Sequence, residues 1–282
     1  NRLQNKTTRT DNLWKPKPGK QQVRIVPYVH NTSNPFVELF FHYGFGGKNI
    51  LSPKTFGEAD PLIEFADQLR ATGNRDDWNL SKDLFPKMRT YVPVIVRGEE
   101  SEGVKFWGFG KTVYQELLGF FTDPDYGDLT DPVGGRDITV EFKTAKELGK
   151  NYPETYIRVK PNQTPISEDK DVLEKSKDQI ELPGLFKKHS YDELKALLET
   201  WLETGKVEDS NQEGEVQPTS ESNTKTESVT NVKDAFDSLF NESNESTTST
   251  TSEIDKLSGE SSSIIISRSL SVSTSLSLLK LS

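Results

Sequence analysis

From about Val207 to its end, this chain is too poor in apolar residues to build a core of its own. Folding is therefore confined to roughly the first 200 residues, enough for one good core. Charge divides the chain in a similar way. The first 160 residues hold 23 Lys/Arg and 21 Asp/Glu, a net of +2, together with most of the aromatics. The last 122 hold 12 Lys/Arg and 23 Asp/Glu, a net of −11, and are rich in Ser, Thr, Asn and Glu. The overall charge of −9 hides a mildly basic, aromatic-rich body behind an acidic tail. The chain has no cysteine, which excludes disulfides, thiolate nucleophiles and thiolate metal sites. No secretory leader pattern and no apolar run of bilayer length is present, so a soluble cytoplasmic protein is expected. The sequence opens on Asn1 rather than Met, which points to missing N-terminal residues.

Residues 1–20 carry Arg2, Lys6, Arg9, Lys15, Lys17 and Lys20 against Asp11 alone. Pro16 and Pro18 forbid helix there, so this stretch reads as a basic, extended arm. Strand-like runs follow at 22–27, 36–43, 89–97, 103–109, 136–143 and 155–160. Pro93 marks an edge or a bulge in the third. Residues 98–102 are turn-rich and make the third and fourth runs a hairpin; the last two also pair. Helical spacing appears at 61–71, with Asp60 to cap and Gly73 to stop it, and again at 111–121. A third helix, 190–204, opens on a Ser190/Glu193 capping box and ends at Gly205. Short strands with helices between pairs predict a mainly β fold with inserted helices: an OB-type five-stranded barrel, a helical insertion at about 57–85, and a disordered tail from 207 to 282. Within the tail, Val232, Phe236 and Leu239/Phe240 form one helical face suited to a partner. Ser261 to Ile266 reads Ser-Ser-Ser-Ile-Ile-Ile, the mark of a reading-frame slip before a more acidic true end.

Catalytic chemistry finds little support. His30, His42 and His189 fall in no metal-ligand spacing, and no nucleophile elbow or Walker A sequence is present. Gly44 to Lys48 reads as a turn, and the acidic cluster from Asp123 to Asp131 as a solvated loop. Gly108-Phe109-Gly110-Lys111 precedes a helix and suits one backbone contact to a phosphate. Single-strand binding is better served, because it needs cations along the phosphates and flat rings for the bases. Lys87, Arg89, Tyr91 and Arg97 share one strand. On its hairpin partner, the period of two sets Lys105, Trp107, Phe109 and Lys111 on one face and Phe106 on the other. Tyr152, Tyr156, Arg158 and Lys160 repeat the pattern. Phe36, Phe40 and Phe65 read as core.

These residues, in this order, resemble the single-stranded DNA-binding (helix-destabilising) proteins of T-even-type bacteriophages, in the divergent form of marine phages. The likeness runs from about Trp14 to Trp201. It rests on Trp14-Lys15-x-Lys17 before Gln22 to Pro27, on His42-x-Gly44-Phe45, on the Tyr91 strand, and on Gly103 to Lys111. The resemblance implies an OB-fold cleft for the strand, a basic N-terminal segment for self-association, and an acidic tail that recruits replication and recombination proteins. It implies DNA contacts at Arg24, Lys87, Arg89, Tyr91, Lys105, Trp107, Phe109, Lys111, Tyr152 and Tyr156. The Lys6 to Thr10 stretch weakly resembles the family's cooperativity motif. The family's type member holds a structural zinc with one His and three Cys. Here the matching positions are His42, Ser52, Asp60 and Ile63, so no cofactor or metal is expected and apolar packing alone should hold that subdomain. The expectation is a non-enzymatic single-stranded DNA-binding protein of phage replication, recombination and repair in the infected host's cytoplasm. A single-stranded RNA module and a protein-interaction adaptor are the alternatives.

Overall fold

The computed structural model describes residues 11–45, 48–204 and 229–240. Expectations for residues 1–10, for Gly46 and Gly47, and for most of the tail, Ser261 to Ile266 included, fall outside them. The strands are β1 (Leu13–Trp14), β2 (Gly19–Ile25), β3 (Val37–Phe45), β4 (Lys48–Leu51), β5 (Lys87–Val96), β6 (Lys105–Phe109), β7 (Arg136–Lys143) and β8 (Glu154–Gln163). The helices are α1 (Pro61–Ala71), α2 (Arg75–Leu84), α3 (Lys111–Thr122), α4 (Ala145–Leu148), α5 (Lys170–Lys175), α6 (Tyr191–Thr204) and α7 (Val229–Phe240). Among the described residues no helix is long and apolar enough to cross a membrane.

All eight strands join one mixed sheet of order β1-β6-β5-β2-β7-β8, with β3 paired to β5 and β4 to β3. Only β1 and β6 run parallel. The fold is mainly β with helices, as expected, but a closed five-stranded barrel is not shown: β1 and β8 stand at the two ends of the strand order, and among the described residues no ladder joins them. Strands β1 and β4 are two and four residues long, too short to show a period of two in sequence. Pro93 is not on an edge strand. It sits mid-β5, where the partner on one side changes from β3 (Lys87 to Tyr91) to β2 (Val94 to Val96). Its carbonyl accepts the Val26 N–H at 3.1 Å. The N–H it lacks would point to that same side, between the two ladders, so the ring breaks no sheet bond there.

Side-chain alternation gives the sheet two faces. The inner face packs Val23, Ile25, Val92, Val94, Ile138, Val140 and Val159 against Val113 and Leu117 of α3 and against Trp14. The outer face is partly covered by the chain between β8 and α6. Ile166 and Val172 sit on Val26 and Ile95, and Leu182 and Phe186 join the cluster of Leu39, Phe41, Tyr91 and Phe106.

A helical subdomain packs at the end of β3. Asp60 caps α1 by accepting the Leu62 N–H at 3.0 Å, and Leu62, Phe65, Ala66 and Leu69 are buried as their spacing predicts. Helix α6 carries its capping box, Glu193 N–H to Ser190 Oγ at 3.1 Å and Ser190 N–H to Glu193 Oε2 at 3.2 Å. Helix α2 lies inside the expected insertion, but its sequence RDDWNLSKDL has too few apolar positions to announce it. Helix α7 forms from the amphipathic island of the tail. It docks on the body itself: Val232, Phe236 and Phe240 are buried in one cluster with Leu62, Phe65, Leu69, Leu194 and Leu198.

The positions matched to zinc ligands turn out to be wired to one another. His42 Nδ1 donates to Leu84 O at 2.7 Å and His42 Nε2 lies 2.8 Å from Asp60 Oδ2. Ser52 Oγ donates to the same carboxylate oxygen. All three residues are buried. A structural zinc needs four donors converging on one point. Here both His42 nitrogens are engaged, Asp60 is saturated, and Ile63 offers no donor, so this set does not fit the metal. Apolar packing alone is also corrected: a polar trio ties β3, the Ser52 turn, the start of α1 and the end of α2. Burial by itself would raise the Asp60 carboxyl; hydrogen bonding and charge from His42, with Ser52 and the Leu62 N–H, outweigh it and leave the carboxyl lowered.

Candidate nucleic-acid interface

Of the ten sequence-predicted contact residues, nine separate into three groups and Lys105 stands apart, paired with Glu102. Four are structural. Trp107 is 1% exposed and Phe109 4%. They do share a face, and Phe106 does lie opposite, but both faces are covered. Trp14 meets Trp107 edge-on at 5.7 Å, while Tyr28 meets Phe106 at 5.8 Å. A ring so enclosed has no side free for a base, so stacking by Trp107 and Phe109 is corrected to core packing. The two lysines that suggested an open face stand at the strand's ends. Lys105 pairs with Glu102, and Lys111 has already passed into the first turn of α3. Chain ends let such side chains reach water while the middle of the strand stays dry.

Tyr91 is 7% exposed, packed near Phe41 and Phe186. Its ring lies over Gly108 of β6, where an added Cβ would come within 2.5 Å of it. Arg24 is fully buried. It donates from Nε to Asp137 Oδ1 at 3.0 Å and from Nη2 to Thr164 O at 2.5 Å. Arg97 donates to both oxygens of Asp137, at 2.8 and 3.0 Å, and to Ile166 O at 2.5 Å. Burial pulls the Arg24 guanidinium down, Asp137 opposes this, and neighbouring Arg97 adds to the fall. Arg24 thus pins Thr164 to the sheet and Arg97 pins Pro165 and Ile166; groove contact by Arg24 and base contact by Tyr91 are both corrected to structural roles.

The second group sits where β5 begins and β6 ends. Register sets Thr90 against Phe109, which brings Lys87, Arg89 and Lys111 to one end of the hairpin. Lys87 and Lys111 are exposed, and Arg89 donates to Gly108 O at 3.2 Å. Lys87 Nζ stands 5.9 Å from the Tyr43 ring, and nearby Lys54 Nζ stands 4.9 Å from Phe40. Gly110 stands at the N-cap of α3.

The third group is the β7–β8 hairpin. Tyr152 is 49% and Tyr156 44% exposed, the largest open rings of the sheet region. Alternation along β8 buries Ile157 and Val159 inward and turns Tyr156 and Arg158 outward, with Lys160 half-buried beside them. Lys143 Nζ lies 5.3 Å from the Tyr156 ring, the diagonal contact expected when Lys143 pairs with Glu154 and Tyr156 with Glu141. The Tyr156 hydroxyl donates to Glu154, which pushes its ionisation up. Lys150 also pairs with Glu154, so that carboxylate's charge is countered within the patch.

Register places Lys87 and Arg89 on the same outer sheet face as Tyr156 and Arg158, with the buried Arg24 and Ile95 between them; Lys111 on α3 and Tyr152 before β8 lie outside that register. Arg24 opposes Ile95, Gln22 opposes Thr139, and Thr139 opposes Arg158, so the face of Lys87, Arg89 and Tyr91 continues to that of Tyr156. The sequence reading missed Lys143, Tyr43 and Lys54. Only the cross-strand register reveals Lys143. Trp78 on α2 is a further missed exposed ring, 47% open with Lys82 Nζ 3.3 Å from its centroid. The acids between Asp123 and Asp131 serve their own loop. Asp128 accepts the Thr130 N–H and Asp131 the N–H groups of Val133 and Gly134. Among the described residues no three His, Cys, Asp or Glu gather for a metal.

The arrangement is a sheet face with rings beside cations, Tyr156 beside Lys143 and Tyr43 beside Lys87, next to the exposed Tyr152. A comparison with curated proteins found no match. Residues 17–204, most of the folded body, match the family model described as gp32 DNA binding protein like. The chain therefore belongs to the gp32-like DNA-binding proteins, a non-enzymatic family that binds single-stranded DNA.

Proposed function

We propose that this protein coats single-stranded DNA cooperatively and without sequence preference during phage replication, recombination and repair, in the cytoplasm of the infected bacterial host. The carrying observation is the exposed β7–β8 patch of Tyr152, Tyr156, Lys143, Arg158 and Lys160 on a body of this family. Rings there take bases in any order, because every base has a flat face. Lys87 and Arg89, with Lys111 at the start of α3, form a second cationic patch that neutralises phosphates. The basic N-terminal residues assist self-association along the strand. The acidic tail recruits replication and recombination proteins, and as a polyanion it competes for the cationic face when DNA is absent.

A salt-dependent titration with single- and double-stranded DNA of equal length tests this reading. Preference for the single strand, with a log–log salt slope of several units, is the expected result; equal affinity for both forms contradicts it. Matched RNA and DNA oligonucleotides test the RNA alternative in the same assay. Deleting Val207 to Ser282 should tighten DNA binding, and weaker binding of the deleted form would count against tail competition.

A further inference from the structure

Helix α7 is joined to α6 by the 24 residues from 205 to 228. Its footing on the body is specific. Phe236 meets Phe65 at 5.9 Å, Phe240 meets Tyr191 at 6.5 Å, and Val232 completes the buried edge. Lys195 caps the far end, with Nζ 3.5 Å from Phe240 O and 4.9 Å from the Phe240 ring. A twelve-residue helix is too short to hold its shape alone in water. When α7 leaves, its own helix melts, and Leu62, Phe65, Leu69, Leu194 and Leu198 lose their cover.

We propose that the α1/α6 surface is an interaction site for α7 of a second copy of this chain, and that copies lined up on DNA exchange this helix. The proposal rests on the coating reading above. It needs no contact that the structure does not already hold, because every copy carries the same helix and the same site. Partition between own and neighbouring site then depends only on reach, through the effective concentration that the linker sets. Any 24 residues, taken as a random chain, have a root-mean-square span of about 25–29 Å and a limit of about 80 Å. A body of this size has a radius of gyration of about 16 Å, so touching copies sit roughly 40 Å apart. Both sites lie within the linker's range. Swapping an identical element between protomers is a low-cost route to association, and here it would tie each copy to the next.

The absence of native cysteine makes the test clean. Two full-length variants, Lys195→Cys and Leu239→Cys, are mixed with oligo-dT and treated with a short bis-maleimide. The doubly substituted chain reports the contact in cis. A covalent heterodimer, formed on long oligo-dT and about tenfold less on an oligonucleotide that holds one copy, is the expected result. Adding Phe236→Asp to the Leu239→Cys partner should abolish it while that partner, though its melt is lowered by the loss of the α7 contact, stays folded and still binds DNA. Crosslinking confined to the doubly substituted chain, with DNA coating intact by sedimentation, overturns the exchange and leaves the coating reading standing. Loss of coating itself would strike the coating reading instead.

Discussion

Strands β6 and β8 look alike as sequences, each alternating cations with aromatic rings, yet one is core and the other is open. The difference lies in what covers them. Trp107 and Phe109 on β6 are roofed by Trp14 of β1, a two-residue strand distant in sequence, and by α3, whose helix the spacing predicts but whose seat on the sheet it does not. Tyr156 and Arg158 on β8 are exposed and face outward at one end of the sheet, and among the described residues no helix covers them. Period two assigns residues to faces; it does not say which face is wet.

The sharpest way to break this comparison is to truncate one ring on each side. Trp107→Ala should cost about 3–5 kcal/mol of stability, the range for deleting a buried aromatic. Denaturant unfolding checks it, and a near-native midpoint would return Trp107 to the interface. Disrupting the polar trio comes next. Asp60→Ala leaves His42 and Ser52 facing an empty position and should cost about 3 kcal/mol. The sign with pH follows from the lowered carboxyl: its stabilisation is present above the unfolded value near 3.9 and is lost as pH falls through the lower folded value. Wild-type stability should therefore drop below about pH 4, and that drop should shrink in Asp60→Asn.

On the open side, Tyr156→Ala should weaken oligo-dT binding by about 1–3 kcal/mol while shifting stability by less than about 0.5 kcal/mol. A fluorescence titration beside a thermal melt separates the two effects. The smallest change is expected from Lys143→Gln. Removing one phosphate contact should flatten the salt slope by about 0.7, measured across a salt series; an unchanged slope would place Lys143 outside the DNA path.

Much of the frame was legible because its signals are local. Asp60-Pro61 before Leu62, Phe65 and Leu69 states a capped amphipathic helix, and Ser190 with Glu193 states another. Six of the strands and both hairpin pairings follow from β-branched and aromatic runs set between turns. The rest depended on long-range pairing. Arg24 reads as a groove cation until Asp137 and Thr164, more than a hundred residues away, close around it. Gly108 reads as part of a phosphate-contact stretch until the Tyr91 ring is seen lying on it. The island at Val232, Phe236 and Phe240 was recognisable as a helical face, but its seat on Phe65 and Leu198 was not.

The central claim is that bases meet the β7–β8 hairpin rather than the β5–β6 hairpin. Ultraviolet crosslinking of oligo-dT to the full-length protein, followed by peptide mapping, tests it most directly. Adducts at Tyr152 or Tyr156 are expected, and adducts concentrated at Trp107 or Tyr91 would contradict the account.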